Sequence, residues 1–280
     1  MNYYELQLTL THFEVWHDIF VAYLAELEYE SFVEEAPFLK AYIPEESYNG
    51  AALQTLLGEL QAKGAQMVSF DVALLPQQNW NATWEAQFEP VFINEHLRII
   101  APFHELPPFE GLEIKILPKM SFGTGHHQTT HLICQQMLGM ELKDKLVLDM
   151  GAGTGVLAIL AELLGAAQII AIEIEAWSAE NIFENVALNG SKKITAIHGG
   201  APEIPGLAFD VILANINKNV LLEQLPAYSK ALAPNGTLLL SGFFVTDATD
   251  LIAAAANLGF EWIGTEAREN WAVVLLKKIP

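Results

Sequence analysis

Sixteen residues near the middle of the chain restrict its fold more than any others. Leu146-Val147-Leu148-Asp149-Met150 runs into Gly151-Ala152-Gly153-Thr154-Gly155, and Val156-Leu157-Ala158-Ile159-Leu160-Ala161 follows at once. A short apolar run stopped by glycines reads as a strand buried in a parallel sheet. Glycines in the turn permit positive φ and let a ligand approach where a Cβ would collide. The helix that opens at Gly155 directs its free N–H groups at that ligand. The unit is therefore a strand–turn–helix of nucleotide-binding type. Its spacing is G-x-G-x-G with Val156 next, whereas the dinucleotide fingerprint is G-x-G-x-x-G. That difference disfavours a nicotinamide oxidoreductase.

Elements of alternating type surround this unit. Strand patterns at 146–150, 168–172, 194–198, 211–214, 237–241, 262–265 and 272–277 interleave with helix patterns at 129–137, 156–164, 176–188, 220–231 and 247–258. Such alternation predicts a mostly parallel sheet with helices on both faces. Its ligand belongs beyond the carboxyl ends of the strands, where the strand order reverses. The first part of the chain reads differently: strand 3–10, helix 13–29, strands 31–34 and 38–43, helix 51–62 and strand 66–75. The order βαββαβ predicts a ferredoxin-like α+β domain over residues 1–76. Polar Gln77-Gln78-Asn79-Trp80-Asn81 marks the boundary, and residues 77–280 form the second domain. Within it, 77–100 serve as linker and hairpin, and Pro102, Pro107, Pro108 and Pro118 mark an extended connector. The expected class is α/β: a Rossmann-like domain preceded by a small ferredoxin-like α+β domain.

Composition narrows the setting. The 280 residues are 52% hydrophobic, enough for real cores. No apolar run reaches the length of a membrane span, and residues 1–7 carry neither the basic segment nor the apolar core of a signal peptide. Cys134 is the single cysteine, so no internal disulfide is available. A reducing cytoplasm is the expected location. The net charge is −20, from 34 acids against 14 Lys plus Arg. Nucleic-acid binding needs clustered Lys and Arg, so neither nucleic acid nor a membrane is an expected partner. The acidity concentrates in residues 1–50, where ten acids face Lys40 alone. A negative module of this kind either solubilises the surface or steers a basic partner.

Several side chains qualify for chemistry. Glu173 closes the second strand of the large domain, 22 residues after Gly151, near the spacing at which an acid reaches a bound ribose. A carboxylate accepts both ribose hydroxyls together; Glu175 competes for the role. Asn215 ends the fourth strand, followed by Ile216-Asn217-Lys218-Asn219. From there a side-chain carbonyl can accept a hydrogen bond from a substrate amine and aim its lone pair. Enzymes that methylate planar amides or bases often carry Asn-Pro-Pro-Tyr at this place. Both prolines and the aromatic are absent, which argues against DNA-base or glutamine methylation. Upstream, Ser121-Phe122-Gly123-Thr124-Gly125-His126-His127-Gln128-Thr129-Thr130 suggests a loop that folds over a cofactor, with Thr129 or Thr130 reaching it. His127 and His131 stand i, i+4, but no HExxH pattern or Cys partner accompanies them, so no metal is expected.

Together these motifs carry a resemblance. Phe122-Gly123-Thr124-Gly125-x-His127-x-Thr129-Thr130, then Asp149-x-Gly151-x-Gly153-Thr154-Gly155, resembles the ribosomal protein methyltransferase A family within the class I S-adenosyl-L-methionine (SAM) methyltransferases. Leu164-Gly165-Ala166-Ala167, Ala214-Asn215-Ile216, Ser241-Gly242 and Trp271 extend the likeness over roughly residues 84–277. The resemblance implies SAM-dependent methylation of amino groups, at lysines and the N-terminus, of large-subunit ribosomal protein 11, gripped by the N-terminal domain. It places cofactor contacts on Thr130, Gly151, Glu173 and Asn215, to which the turn adds Gly153 and Gly155. Asn215 would also orient the amine. There are departures: Ala152 stands where Cys is common, Glu173 where Asp is usual, and Asn217-Lys218 where Leu-Ala usually follows. The last of these bears on the acceptor site and on the number of methyls added. The alternatives are a SAM-dependent N-methyltransferase for another protein or a small amine, and a SAM-binding module without turnover.

Overall fold

The computed structural model describes residues 2–75 and 88–280. The chain falls into two compact units, Met1–Trp84 and Glu85–Pro280. The boundary expected after residue 76 lies outside the described residues.

In the first unit the elements are β1 (Tyr3–Leu10), α1 (Phe13–Glu26), β2 (Ser31–Glu35), β3 (Phe38–Pro44), α2 (Gly50–Ala62) and β4 (Met67–Leu75). The strands lie in the order β2-β3-β1-β4, and every pairing is antiparallel. Alternation along β1 turns Leu6, Leu8 and Leu10 inward against Phe20 and Leu24 of α1 and Leu53, Leu57 and Leu60 of α2. The period of two in the strand and 3.6 in the helices thus meet on one apolar face. Asn49 opens α2, its Oδ1 accepting the Ala51 and Ala52 N–H groups at 3.1 Å. This is the βαββαβ sandwich read from the sequence.

The second unit contains β5 (Val91–Asn94), β6 (Leu97–Ile100), β7 (Leu112–Lys115), α3 (Gln128–Leu138), β8 (Leu146–Met150), α4 (Val156–Leu163), β9 (Gln168–Glu173), α5 (Ala176–Leu188), β10 (Ile194–His198), β11 (Phe209–Asn215), α6 (Lys218–Ala231), β12 (Leu232–Phe244), α7 (Ala248–Ala256), β13 (Phe260–Arg268) and β14 (Trp271–Lys278). Seven strands form one sheet in the order β10-β9-β8-β11-β12-β14-β13. The first five run parallel, and β14 runs antiparallel to both its neighbours. Central strands are continuously apolar because both faces are covered. Val147, Ile169, Ala171 and Leu239 face one core with α3 and α4. Leu148, Ile170, Ile172 and Leu240 face the other, with α6 and α7. Strand order reverses between β8 and β11, so the glycine turn and Asn215 flank one crevice.

Two elements differ from the sequence reading. The proline-marked connector contains β7, which pairs parallel with β6; four residues between prolines are too few for periodicity to reveal a strand. In addition, β12 begins at Leu232 rather than near 237. Pro234-Asn235-Gly236 sits inside this strand as an irregularity, with Asn235 at φ 60 and a register shift against β11.

Candidate active site

One side of the crevice is formed by the β8–α4 turn. Gly151, Gly153 and Gly155 have φ of 69, 57 and 80, a region costly for any residue with a Cβ. Beyond conformation, Gly153 is required by contact: a Cβ there would overlap the Phe122 carbonyl oxygen. Thr154 N–H donates to that same oxygen at 2.9 Å, and Thr154 Oγ1–H donates to the Gly123 carbonyl at 2.7 Å. The close approach inferred from the sequence is therefore made at this position by the chain's own upstream loop. Beside Gly151, a Cβ would meet the side chain of Ile216.

Two carboxylates back this turn. Glu173, the last residue of β9 and 8% exposed, accepts the Gly153 N–H at Oε2 (2.7 Å) and the Glu175 N–H at Oε1 (3.2 Å). Each oxygen keeps a lone pair for a hydroxyl. Glu175 itself is exposed. Asp149 is wholly buried; its Oδ2 accepts the Ala158 N–H at 3.1 Å, and its Oδ1 has no partner among the described residues. Burial pushes the Asp149 carboxyl up to about 7, the Ala158 N–H pulls it back, and the Glu173 charge adds to the rise.

Segments far apart in the chain build the other side. His127 caps α3: its Nδ1 accepts the Thr129 N–H at 3.3 Å and lies 2.8 Å from Thr129 Oγ1. A backbone N–H only donates, so the neutral ring carries its proton on Nε2. Burial lowers its pKa. The ring lies 5.1 Å from the Phe122 ring and 4.6 Å from that of Trp271, which is 4.3 Å from the Phe244 ring. Thr130 is fully buried, and Asn215 Nδ2–H donates to its Oγ1 at 3.4 Å. Asn215 Oδ1 is buried without a partner among the described residues. Phe122, His127, Thr129, Asn215, Ile216, Asn217, Gly242 and Trp271 enclose a cleft of about 250 Å³. His131 is turned elsewhere. Its Nε2 accepts from Arg268 Nη1 at 2.8 Å, and Arg268 also bonds Gln128. Burial, then the Arg268 charge, lowers the His131 pKa.

Thus Thr130 and Asn215, 85 residues apart, meet directly, and Glu173 meets Gly153. Sequence reading missed what seats the upstream loop. Asn181 and Asn185 of α5 and Asn189 at its C-terminal cap recur every four residues. Asn185 Oδ1 accepts the Leu117 N–H at 2.8 Å, and its Nδ2–H donates to Thr154 O at 2.9 Å. Asn189 accepts from Lys115 N–H and donates to Lys115 O, at 2.8 and 2.6 Å. Three amides at helical spacing were a legible signal of backbone docking.

The residues present suit SAM. A carboxylate with spare lone pairs ends β9, and an unpartnered amide oxygen ends β11. The seven-strand order, the antiparallel β14 and the G-x-G-x-G turn at the reversal define a SAM-dependent methyltransferase. The profile of the family described as ribosomal protein L11 methyltransferase (PrmA) matches residues 14–279, and the chain belongs to that family. A ribosomal protein L11 methyltransferase of Porphyromonas gingivalis is 40% identical over 98% of this chain and 97% of its own. One from Chlorobaculum parvum is 38% identical over 95% and 94%. Among solved structures, a ribosomal protein L11 methylase from Lactobacillus delbrueckii subsp. bulgaricus superposes with a TM-score of 0.65 at 27% identity, covering 69% of this chain and all of that one. The enzyme is accordingly a SAM-dependent amino-methyltransferase.

Proposed function

We propose that the enzyme methylates amino groups of large-subunit ribosomal protein 11, at lysine side chains and the N-terminal amine. In this reading Thr130, Gly151, Gly153, Gly155, Glu173 and Asn215 hold SAM, and Asn215 orients the amine. The observation that carries it is the buried, unpartnered Asn215 Oδ1 beside Thr130 in an aromatic-walled cleft. When bound, SAM supplies a methyl group on a sulfonium, an electrophile that needs positioning more than activation.

The chain's own residues do the rest. Phe122, His127 and Trp271 exclude water, and desolvation lowers the pKa of an incoming lysine from about 10.4. The Asn215 carbonyl accepts from the neutral amine and turns its lone pair into the crevice, a contribution of orientation. His127 Nδ1 is already engaged by Thr129, so the amine gives up its proton to bulk water as it leaves solvent for the cleft. Residues 1–76, with ten acids against one lysine in the first fifty, attract the basic ribosomal protein by long-range charge. The working compartment is the cytoplasm; no described helix is long and apolar enough to cross a membrane.

The test is a mixture of purified large-subunit ribosomal proteins incubated with the full chain and methyl-labelled SAM. Label on amines of protein 11 alone is expected. Label on a different protein would replace the substrate assignment, and bound SAM without transfer would overturn the activity on these proteins.

A further inference from the structure

The first unit holds a second place where ligating side chains converge. His17 and Asp18 lie on α1, and Glu34 lies on β2, an edge strand of its sheet. Glu34 stands opposite Leu39, which is fully buried in the core. Residues directly opposite one another share a face, so Glu34 points toward the helices. Phe32, two residues earlier, packs against the same core. A charge pointing inward blunts the edge of a sheet, but it leaves a carboxylate to be satisfied. His17, with its side chain only 15% exposed, reaches that carboxylate from α1.

The ring is oriented by its other nitrogen. His17 Nδ1 lies 2.9 Å from the Phe13 carbonyl oxygen, and a carbonyl only accepts, so Nδ1 carries a proton. The ring also stacks on Phe13, with centroids 4.8 Å and planes 9° apart. A backbone carbonyl on one nitrogen is how metal-ligating histidines are commonly held. Nε2 is thereby aimed at Asp18 Oδ1 and Glu34 Oε2, 3.4 Å from each. One N–H cannot point along both directions, and 3.4 Å exceeds the usual N–H···O range of about 2.7–3.2 Å. It does match the spacing of donors around a tetrahedral ion, since bonds of about 2.0–2.1 Å set ligand atoms roughly 3.4 Å apart. All three atoms lie within 4.8 Å of one another. Among the described residues, neither carboxylate pairs with a lysine or arginine.

We propose that His17 Nε2, Asp18 Oδ1 and Glu34 Oε2 form a binding site for a divalent cation of the zinc class, with a fourth position open to water. One imidazole among the donors suits Zn²⁺ better than Mg²⁺ or Ca²⁺, which take oxygen shells. Asp18, 86% exposed, is the lip through which the ion enters. Once bound, the ion fastens edge strand β2 to α1. It also offsets negative charge where ten acids face Lys40 alone in residues 1–50. The site shares no residue with the methyl-transfer cleft and stands or falls independently of it.

The test titrates the untagged, metal-free full chain with Zn²⁺ by calorimetry and with Co²⁺ by visible absorption, where tetrahedral coordination gives intense bands. One Zn²⁺ per chain should bind ahead of any weaker surface uptake, and the melting temperature should rise with it. His17→Ala and Glu34→Gln should each weaken binding at least about tenfold and erase the Co²⁺ bands. Glu14→Gln, which alters an acid in the first turn of α1, should leave both unchanged. Circular dichroism without metal shows whether each variant has folded, and either folded variant decides the matter. A wild type that binds no Zn²⁺ would leave the three side chains as an ion cluster and overturn the inference. So would binding that both variants retain, because the ion would then lie elsewhere.

Discussion

The two sides of the crevice are built by different means. On the cofactor side, Glu173 and Asp149 are buried and hold backbone groups of two strand–turn segments, and buried Thr154 holds the Gly123 carbonyl of the upstream loop. On the acceptor side, Phe122, His127, Asn215, Gly242 and Trp271 come from four separate segments and are only partly covered. One side is a local backbone device and tolerates few residue types. The other is an assembly of side chains whose spacing depends on loops, and it can be retuned without dismantling the sheet.

The largest break in this contrast should come from Gly153→Ala. The new methyl strikes the Phe122 carbonyl, and φ 57 is a left-handed value. Left-handed strain and overpacking cost roughly 3 kcal/mol together, measurable by chemical denaturation. SAM affinity by calorimetry should fall at least about a hundredfold, since the same contact seats the upstream loop.

Asp149 sharpens the contrast through pH. Its carboxyl titrates near 7 folded, against about 3.9 unfolded. Between those values the folded state holds the extra proton, so stability falls as pH rises through the window and levels off above 7. The full effect is bounded by about 4 kcal/mol. Asp149→Asn should flatten that component of the stability profile from pH 4 to 8, whereas an unchanged slope would show that Asp149 is charged in the fold.

A smaller effect should follow Asn189→Ala, which removes two hydrogen bonds to the exposed Lys115 backbone. About 1 kcal/mol of stability should go. KM should change more than kcat if the connector chiefly places the acceptor loops, and equal changes would contradict that role.

How far the sequence could be read follows the same division. The glycine spacing and the acid at 173 were legible because a backbone device leaves a contiguous signature. The strand at residues 3–10 of the first unit was legible because one covered and one more solvated face enforce alternation. By contrast, β7 hid between prolines. The ion pairs of Lys218 with Asp247 and Asp250 and the His131–Arg268 contact join residues 29 to 137 positions apart, and nothing in local periodicity signals such pairs. His127 and His131 share a spacing but not a role, since helix geometry fixes a face and not the partners waiting there.

The division of labour is tested most directly at Asn215, the residue where the two sides meet. Asn215→Leu keeps the side chain's size and removes its carbonyl. SAM affinity by calorimetry should stay within about tenfold, the loss of one hydrogen bond of ~1 kcal/mol. The single-turnover rate on ribosomal protein 11 should drop on the order of a hundredfold. If affinity and rate instead fall together by the same factor, Asn215 serves the cofactor alone and the acceptor side is built elsewhere.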